Sequence, residues 1–214
     1  MTRTLFTIGH STHSLEYFLS LLAKHRIEVV CDVRSVPYSQ HNPQFNREPL
    51  KAQLRTTSTA YVFLGKELGA RSDNPGCYID GKVQYNYLVD EPPFQEGLRR
   101  LRNGVERFRV ALMCAERDPL TCHRTILVCR ELREPGLNIQ HILADGGIES
   151  NDAAEKRLMS MMKMTPDMLV NERDCIERAY EVQASNIAYV IPAQNSDSSG
   201  HRLPDENLHD RLHQ

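Results

Sequence analysis

Short apolar runs alternate with segments of helical periodicity along most of the chain, and this alternation constrains the fold more than any other feature. The apolar runs cover residues 5–8, 28–33, 60–64, 108–113 and 139–143. Strands that alternate with helices over short connections pair in parallel through right-handed crossovers. The sequence therefore predicts an α/β fold, in which a mostly parallel sheet of about five strands is flanked by helices.

The C-terminal part of the chain has a different pattern. Helical periodicity covers residues 153–163 and 166–183, with Pro166 in a first-turn position. The last stretch is rich in Ser, Asp and His and has few apolar residues, which is typical of disorder. We therefore predict a single α/β domain over residues 1–193 that includes the C-terminal helices, followed by a disordered tail over residues 194–214.

Charge and composition exclude several classes of protein. The formal net charge is -2, so no global positive potential exists to hold nucleic acid, which is not the favoured partner. No run approaches the roughly 20 apolar residues of a membrane span, and the N-terminal sequence MTRTLFTIGH lacks the apolar core of a signal peptide. We therefore expect no membrane partner, and reduced thiols in the cytoplasm for the 6 cysteines.

The predicted strand ends carry the reactive side chains of the chain. Ligands of open parallel sheets bind at the carboxyl ends of the strands. The first strand ends at His10 and Ser11, the second at Asp32 and Arg34, and the third runs into a glycine-containing loop with Arg71. That loop matches neither a dinucleotide fingerprint nor a phosphate-binding P-loop. The aromatic residues that follow it, Tyr85 among them, are interpreted as core or lid packing.

The connection after the fourth strand is the richest in reactive groups. It contains Cys114, Glu116, Cys122, His123 and Arg124 at a strand end and at the predicted start of a helix near His123. A helix N-terminus favours anions and lowers the pKa of a nearby thiol. Arg124 could grip a carboxylate or a phosphate, and Glu116 and His123 could transfer protons. This cluster is the predicted functional centre.

Two known site types share parts with this cluster, and neither matches it. Zinc deaminases place a proton-shuttling Glu and a Pro-x-x-Cys motif at the starts of different helices. Here Glu116 and Pro119 are too close to supply two helix starts. Rhodanese-like sulfurtransferases and cysteine phosphatases need a short anion loop between Cys and Arg. The interval from Cys114 to Arg124 is too long for that loop, and the interval from Cys122 is too short.

A metal site remains open as an alternative. Cys114, Cys122 and His123, alone or with His10, offer the ligand types that transition metals prefer. The Cys-x7-Cys-His spacing corresponds to no standard zinc pattern. The sequence identifies no cofactor, and whether the two thiols meet depends on the fold.

Five ordered motifs carry a resemblance to a known family. They are TIGHS at 7–11, DVRSVPYS at 32–39, LGKELG at 64–69, CAERDPLTCHR at 114–124 and HILADG at 141–146. Together they resemble the domain-of-unknown-function 488 family over about residues 4–190. The resemblance implies a compact α/β domain with functional cysteines. Carried over to this chain, these are Cys114 and Cys122, with companions His10, Asp32, Arg34, Glu116, His123 and Arg124.

These observations lead to one main functional hypothesis and two alternatives. The main hypothesis is an enzyme whose substrate is an anionic small molecule, such as a nucleotide, bound at the carboxyl ends of the strands. The candidate catalytic residues are Glu116, His123, Cys114, Cys122 and His10, and the candidate substrate-binding residues are Ser11, Asp32, Arg34, Arg71 and Arg124. The alternatives are a nucleotide or nucleic-acid binding module without catalysis, and a metal-linked or redox-linked cysteine site.

Overall fold

The computed structural model describes residues 3–192, which form a six-stranded sheet covered by helices on both faces. The strands are β1 (Arg3–Gly9), β2 (Val29–Asp32), β3 (Ala60–Phe63), β4 (Tyr78–Ile79), β5 (Lys82–Val83), β6 (Val110–Cys114), β7 (Leu137–Ile142) and β8 (Ile148–Ser150). The helices are α1 (Leu15–Lys24), α2 (Arg47–Thr56), α3 (Gly65–Leu68), α4 (Tyr85–Val89), α5 (Pro92–Val105), α6 (Asn151–Met161) and α7 (Glu172–Ile187).

The main sheet has the order β3-β2-β6-β1-β7-β8, and β4 and β5 form a separate hairpin. The first five strands of this order are parallel, and β8 runs antiparallel to β7. The predicted fold class, a mostly parallel α/β sheet with C-terminal helices, is confirmed. The sixth strand was not predicted, because three residues are too few to show an alternating pattern.

Two hydrophobic layers enclose the sheet, because successive side chains of a strand point to opposite faces. Phe6 and Ile8 of β1 belong to the layer under α1 and α2, whereas Leu5 belongs to the layer under α5, α6 and α7. All five residues of β6 are buried, as expected of a parallel strand covered on both faces. Strand β6 is therefore packed on both faces up to its carboxyl end.

The chain after β6 is helical but not a regular α-helix. Pro119–Thr121 forms one 3-10 turn, Arg124–Cys129 is wound as a π-helix, and Arg130–Leu132 is again 3-10. All six side chains of the π-helical part are buried. The predicted helix start near His123 agrees with this segment. Its wide winding is a feature that often accompanies functional sites.

The predicted start of the last helix at Pro166 is wrong. The Asp167 side chain accepts hydrogen bonds from the N–H groups of Leu169 and Val170, and this turn competes with helix formation. The helix begins instead at Glu172, where Asn171 caps it by accepting from the N–H of Asp174. The tail predicted over residues 194–214 lies outside the described residues. Among residues 3–192, no helix has the length and apolar character needed to span a bilayer.

Candidate functional site

Three strand ends meet at one edge of the sheet, around the carboxyl end of β6. The N–H of His10 donates to the carbonyl of Cys114 (2.9 Å), and the N–H of Ser11 donates to that of Ala115 (2.9 Å). On the other side, the N–H of Val33 donates to the carbonyl of Met113 (3.1 Å). The strand end that carries Cys114 is therefore clamped from both sides. This is the edge at which the sequence predicts a ligand site.

The two cysteines of this edge meet, together with His123. One ligand atom from each of Cys114, Cys122 and His123 lies within 4.8 Å of the others, and all three residues are buried. The Nδ1 atom of His123 is 3.6 Å from the Cys114 sulfur and 4.0 Å from the Cys122 sulfur. The turn at Pro119–Thr121, capped by the Asp118 side chain, brings the chain back to make this contact.

The hydrogen bonding of His123 determines which ring nitrogen faces the thiols. Its Nε2 atom lies 2.9 Å from the carbonyl oxygen of Val33. A carbonyl oxygen can only accept, so Nε2 carries the proton and donates. In the neutral ring, Nδ1 then has a free lone pair, and it points at Cys114 and Cys122.

Glu116 also contacts both cysteines of the cluster. Its Oε2 atom accepts from both thiols, at 3.1 Å from the sulfur of Cys114 and 3.1 Å from that of Cys122. Burial, followed by the neighbouring charge of Cys122, raises the pKa of the Glu116 carboxyl above its ordinary value. A raised pKa makes this carboxyl easier to protonate than an ordinary glutamate.

Arg124, which contacts the backbone of Glu116, is fully buried. Its Nη1 donates to the carbonyl of Glu116 (2.7 Å) and its Nη2 to that of Arg117 (3.4 Å). Within residues 3–192 it forms no salt bridge, and its Nε has no hydrogen-bond partner. A buried guanidinium without a carboxylate needs a nearby negative group. The Cys114–Cys122 pair is the group that can supply it.

The two thiols titrate as a pair with opposite shifts. Burial opposes ionisation of Cys122, but the hydrogen bond from Cys114, the charge of Arg124 and the hydrogen bond with His123 together hold its pKa well below the ordinary value. For Cys114, the hydrogen bond to Cys122 is the largest effect and burial the second, and both hold its pKa well above the ordinary value of a thiol. The pair therefore loses one proton easily and retains the second.

The other predicted residues of this edge form a second group. The Arg34 guanidinium donates to both oxygens of Asp32, at 2.9 and 2.6 Å, and its Nη1 lies 3.1 Å from Nε2 of His10. The Nδ1 of His10 is 2.9 Å from the carbonyl of Ser11, so both ring nitrogens have partners. Burial and the Arg34 charge lower the pKa of His10 to about 4, which keeps the ring neutral. Ser11 has a positive φ of 47° at the end of β1.

A cavity of about 230 Å³ opens above the cysteine cluster. Two of the predicted substrate-binding residues, Arg34 and Arg71, line it, and Asp32, Ser11 and Arg124 do not. Its remaining charged or reactive lining comes from Cys114, Glu116 and His123. Larger clefts of about 470 and 500 Å³ lie elsewhere on the protein, and none of these cluster residues lines either of them.

Two tyrosines of this cavity were not predicted as site residues: Tyr189 was not singled out, and Tyr85 was interpreted as core or lid packing. The guanidinium of Arg71 stacks on the ring of Tyr189, 4.0 Å from its centroid. Tyr85 is buried, and its hydroxyl has no hydrogen-bond partner within residues 3–192. Burial is the largest effect that raises the pKa of this hydroxyl. The neighbouring charges of Cys122, Cys114 and Glu116 raise it further. An orphaned hydroxyl is a property of the fold, and no sequence signal marks it.

Residues 14–130 match the family described as Domain of unknown function DUF488, and this match covers more than half of the chain. The chain belongs to the DUF488 family. No curated protein and no solved structure matches it. The DUF488 match contains the cysteine cluster, Arg34 and Arg71, whereas His10 and the segment at 141–146 lie outside it.

Beyond the DUF488 match, His141 begins a buried chain of polar side chains. Its Nδ1 lies 2.9 Å from the Thr7 hydroxyl, and its Nε2 lies 3.2 Å from Oδ1 of Asn151. Asn151 donates in turn to Glu155 (2.9 Å). Burial, and then the charge of Arg124, lower the pKa of His141 to about 4. The ring is therefore neutral in the folded protein at neutral pH.

We expect His141 to make stability depend on pH. The folded pKa of about 4 is below the ordinary value of 6.5, so the unfolded chain takes up the proton first as the pH falls. The stabilisation is complete above pH 6.5 and is lost progressively towards pH 4, by about 2 kcal/mol between pH 7 and pH 5. Urea unfolding of His141→Gln should show a flatter dependence over this window. Exposed His41→Gln is the control, and equal slopes in all three proteins would contradict the assignment.

Proposed function

We propose that this DUF488 protein is an enzyme that acts on a small anionic molecule bound at the carboxyl ends of β2 and β6. The single observation that carries the proposal is the shared cavity. Its lining contains Cys114, Glu116 and His123 of the reactive cluster, and also Arg71, whose guanidinium forms no salt bridge within residues 3–192. A free guanidinium beside reactive groups favours a carboxylate or phosphate as its ligand.

The cavity size narrows the substrate further. About 230 Å³ is below the roughly 300–1,000 Å³ of most ligand sites. A small carboxylate or phosphate ester therefore suits the cavity better than a whole nucleotide. Arg71, supported by Tyr189, would hold the anionic end, and the Tyr85 hydroxyl would find in the bound molecule the partner that it lacks.

The proposed roles differ among the residues that sequence analysis selected. Glu116 would move the proton, because its carboxyl faces both thiols and the cavity. Cys114, Cys122 and His123 form the reactive centre. Asp32, Arg34 and His10 would act as positioning residues, since they satisfy one another. Arg124 would hold the loop through the carbonyls of Glu116 and Arg117.

We also propose that the protein works in the cytoplasm as a single domain over residues 1–193. All six cysteines are free and buried, which suits a reducing compartment. The C-terminal helix supports the single domain, because Gln183 of α7 donates to the carbonyl of Leu120, beside the cluster (2.7 Å).

The anion site is tested by binding measurements with orthophosphate, a triose phosphate and a four-carbon dicarboxylate. Calorimetry should find at least one ligand, whose affinity falls about tenfold or more in Arg71→Gln, a loss of roughly 1.4 kcal/mol. Arg107→Gln is the matched control, because Arg107 is also an exposed arginine stacked on an aromatic ring, that of Phe108. Equal loss in both variants, or no binding by the native protein, would refute the anion site.

Tyr85→Phe separates binding from stability. The variant should weaken the same ligand while leaving Tm unchanged or slightly raised, because removal of an unsatisfied buried hydroxyl costs no hydrogen bond. Tyr61→Phe is the contrast, since the Tyr61 hydroxyl donates to Oδ2 of Asp32 (2.7 Å). That variant should lower Tm and leave affinity unchanged. Once a substrate is found, Glu116→Gln should abolish turnover and leave Tm nearly unchanged.

A further inference from the structure

We propose that Cys114, Cys122 and His123 bind one divalent transition-metal ion, with Zn²⁺ as the best fit, and that the fourth coordination position opens into the anion cavity. The inference deepens the proposed function and rests on it for the use of the ion in catalysis. The binding of the ion itself depends only on these three side chains and on Glu116. It can therefore be tested without a substrate.

The distances between the ligand atoms fit a tetrahedral site. With Zn–S of about 2.3 Å and Zn–N of about 2.05 Å, the S–N edge of a tetrahedron is about 3.6 Å. The observed distances from His123 Nδ1 are 3.6 Å to the Cys114 sulfur and 4.0 Å to the Cys122 sulfur. All three ligand atoms lie within 4.8 Å of one another. One of the two S–N distances equals the tetrahedral edge, and the other is longer by about 0.4 Å.

The orientation of His123 is that of a metal ligand. Ligating histidines commonly donate their other ring nitrogen to a carbonyl or carboxylate, which fixes the ring and the tautomer. Here Nε2 donates to the carbonyl of Val33, at the end of β2, and leaves the lone pair of Nδ1 facing the sulfurs. The ligand set of two thiolates and one imidazole favours Zn²⁺ over Mg²⁺ or Ca²⁺, which prefer oxygen ligands.

Three protein ligands leave one position for water or substrate, as in catalytic zinc sites. Cys114, Glu116 and His123 all line the cavity, so this position faces it. The Glu116 Oε2 atom stands 3.1 Å from both sulfurs and can accept a proton from a metal-bound water.

Ion binding is balanced by the release of protons. Each cysteine that enters as a thiol gives up its S–H proton, and the sulfur lone pair forms the bond to the metal. The protons leave to solvent, and Glu116 is the acceptor already in contact with both sulfurs. No electrons are transferred, so the step needs no oxidant or reductant.

The experiment uses the full 214-residue chain without a histidine tag. Elemental analysis of freshly purified protein should give about one zinc per chain. After removal of the ion by a chelator, Co²⁺ should restore stoichiometric binding, with thiolate-to-cobalt charge-transfer absorption and the visible bands of a tetrahedral ion. Cys122→Ser and His123→Gln should each weaken Co²⁺ binding at least 100-fold. Cys129→Ala, which removes a buried cysteine outside the cluster, should bind as the native protein does.

Two results would overturn the inference. One is native protein that retains less than a tenth of an equivalent of any transition metal and gives no thiolate absorption with Co²⁺. The other is a Cys114–Cys122 disulfide that forms and breaks reversibly with no metal bound, which assigns the pair to redox chemistry. If the variants fail to fold, the native protein alone decides, through its metal content and Co²⁺ spectrum. Anion binding that persists without metal would leave the proposed function standing, and metal binding without any anion affinity would leave the inference standing.

Discussion

Gly9→Ala is expected to lower the free energy of unfolding by about 3 kcal/mol, because the end of β1 passes against the cluster loop with no room for a side chain. A Cβ atom at Gly9 would lie 1.9 Å from the carbonyl oxygen of Glu116 and 2.9 Å from its carbon. Both atoms belong to the backbone, so rotation of a side chain cannot relieve the contact. Strand β1 or the loop must move.

The displacement should also reach the functional site. The Glu116 carbonyl is the acceptor for Arg124, so a moved loop disturbs the contacts of this buried guanidinium. We expect Co²⁺ affinity to fall at least tenfold together with stability, as measured by urea unfolding and cobalt titration. Gly104→Ala is the control, because a Cβ there would lie 3.7 Å from the Val110 side chain, an ordinary contact. A Gly9→Ala protein as stable as native would contradict the close approach.

Asp32→Asn is expected to lower the free energy of unfolding by about 3–5 kcal/mol. The Asp32 side chain is fully buried and accepts from the Arg34 guanidinium at 2.9 and 2.6 Å and from the Tyr61 hydroxyl at 2.7 Å. An asparagine places an N–H₂ donor against these donors and leaves the buried guanidinium without its counter-charge. Urea unfolding at neutral pH measures the loss.

A double-variant cycle tests this assignment. In an Arg34→Met background, Asp32→Asn should cost much less than in the native chain, because the buried charge is already absent. Glu48→Gln is the surface control: Glu48 pairs with Arg47 at 3.6 Å in solvent, and such a pair contributes about 0–1 kcal/mol. Equal costs of Asp32→Asn in both backgrounds would show that Arg34 does not depend on Asp32.

The fold class and the position of the site could be predicted from the sequence, because both follow from periodicity. Buried parallel strands are short apolar runs, and their carboxyl ends are read directly from where each run stops. The strand β8 and the true start of α7 could not be predicted. The first is too short for a pattern, and the second depends on a hydrogen-bonding turn at Asp167 that competes with the helix.

The meeting of the two cysteines could not be predicted, since it depends on a turn within the interval between them. The 3-10 turn at Pro119–Thr121, capped by Asp118, brings the chain back to the end of the strand. The spacing of the two cysteines matches no standard zinc-binding motif, so the sequence alone does not indicate this contact. Arg124 shows the opposite problem. An arginine at the start of a helix is suited to bind an anion, so the sequence predicted that Arg124 contacts the substrate. In the structure Arg124 is buried, and its guanidinium donates to the backbone carbonyls of Glu116 and Arg117 instead.

The place of β6 in the sheet has a consequence for how the protein folds. β6 lies between β2 and β1, so both early strands pair with a segment that is synthesised much later. Until it emerges from the ribosome, β1 and β2 each expose an unpaired backbone edge, and contacts so distant in sequence form slowly. Strand β6, which joins β1 to β2 in the sheet, also ends in Cys114. The bond from His123 to the Val33 carbonyl, which fixes the ring beside the thiols, therefore cannot form until β6 has paired with β2.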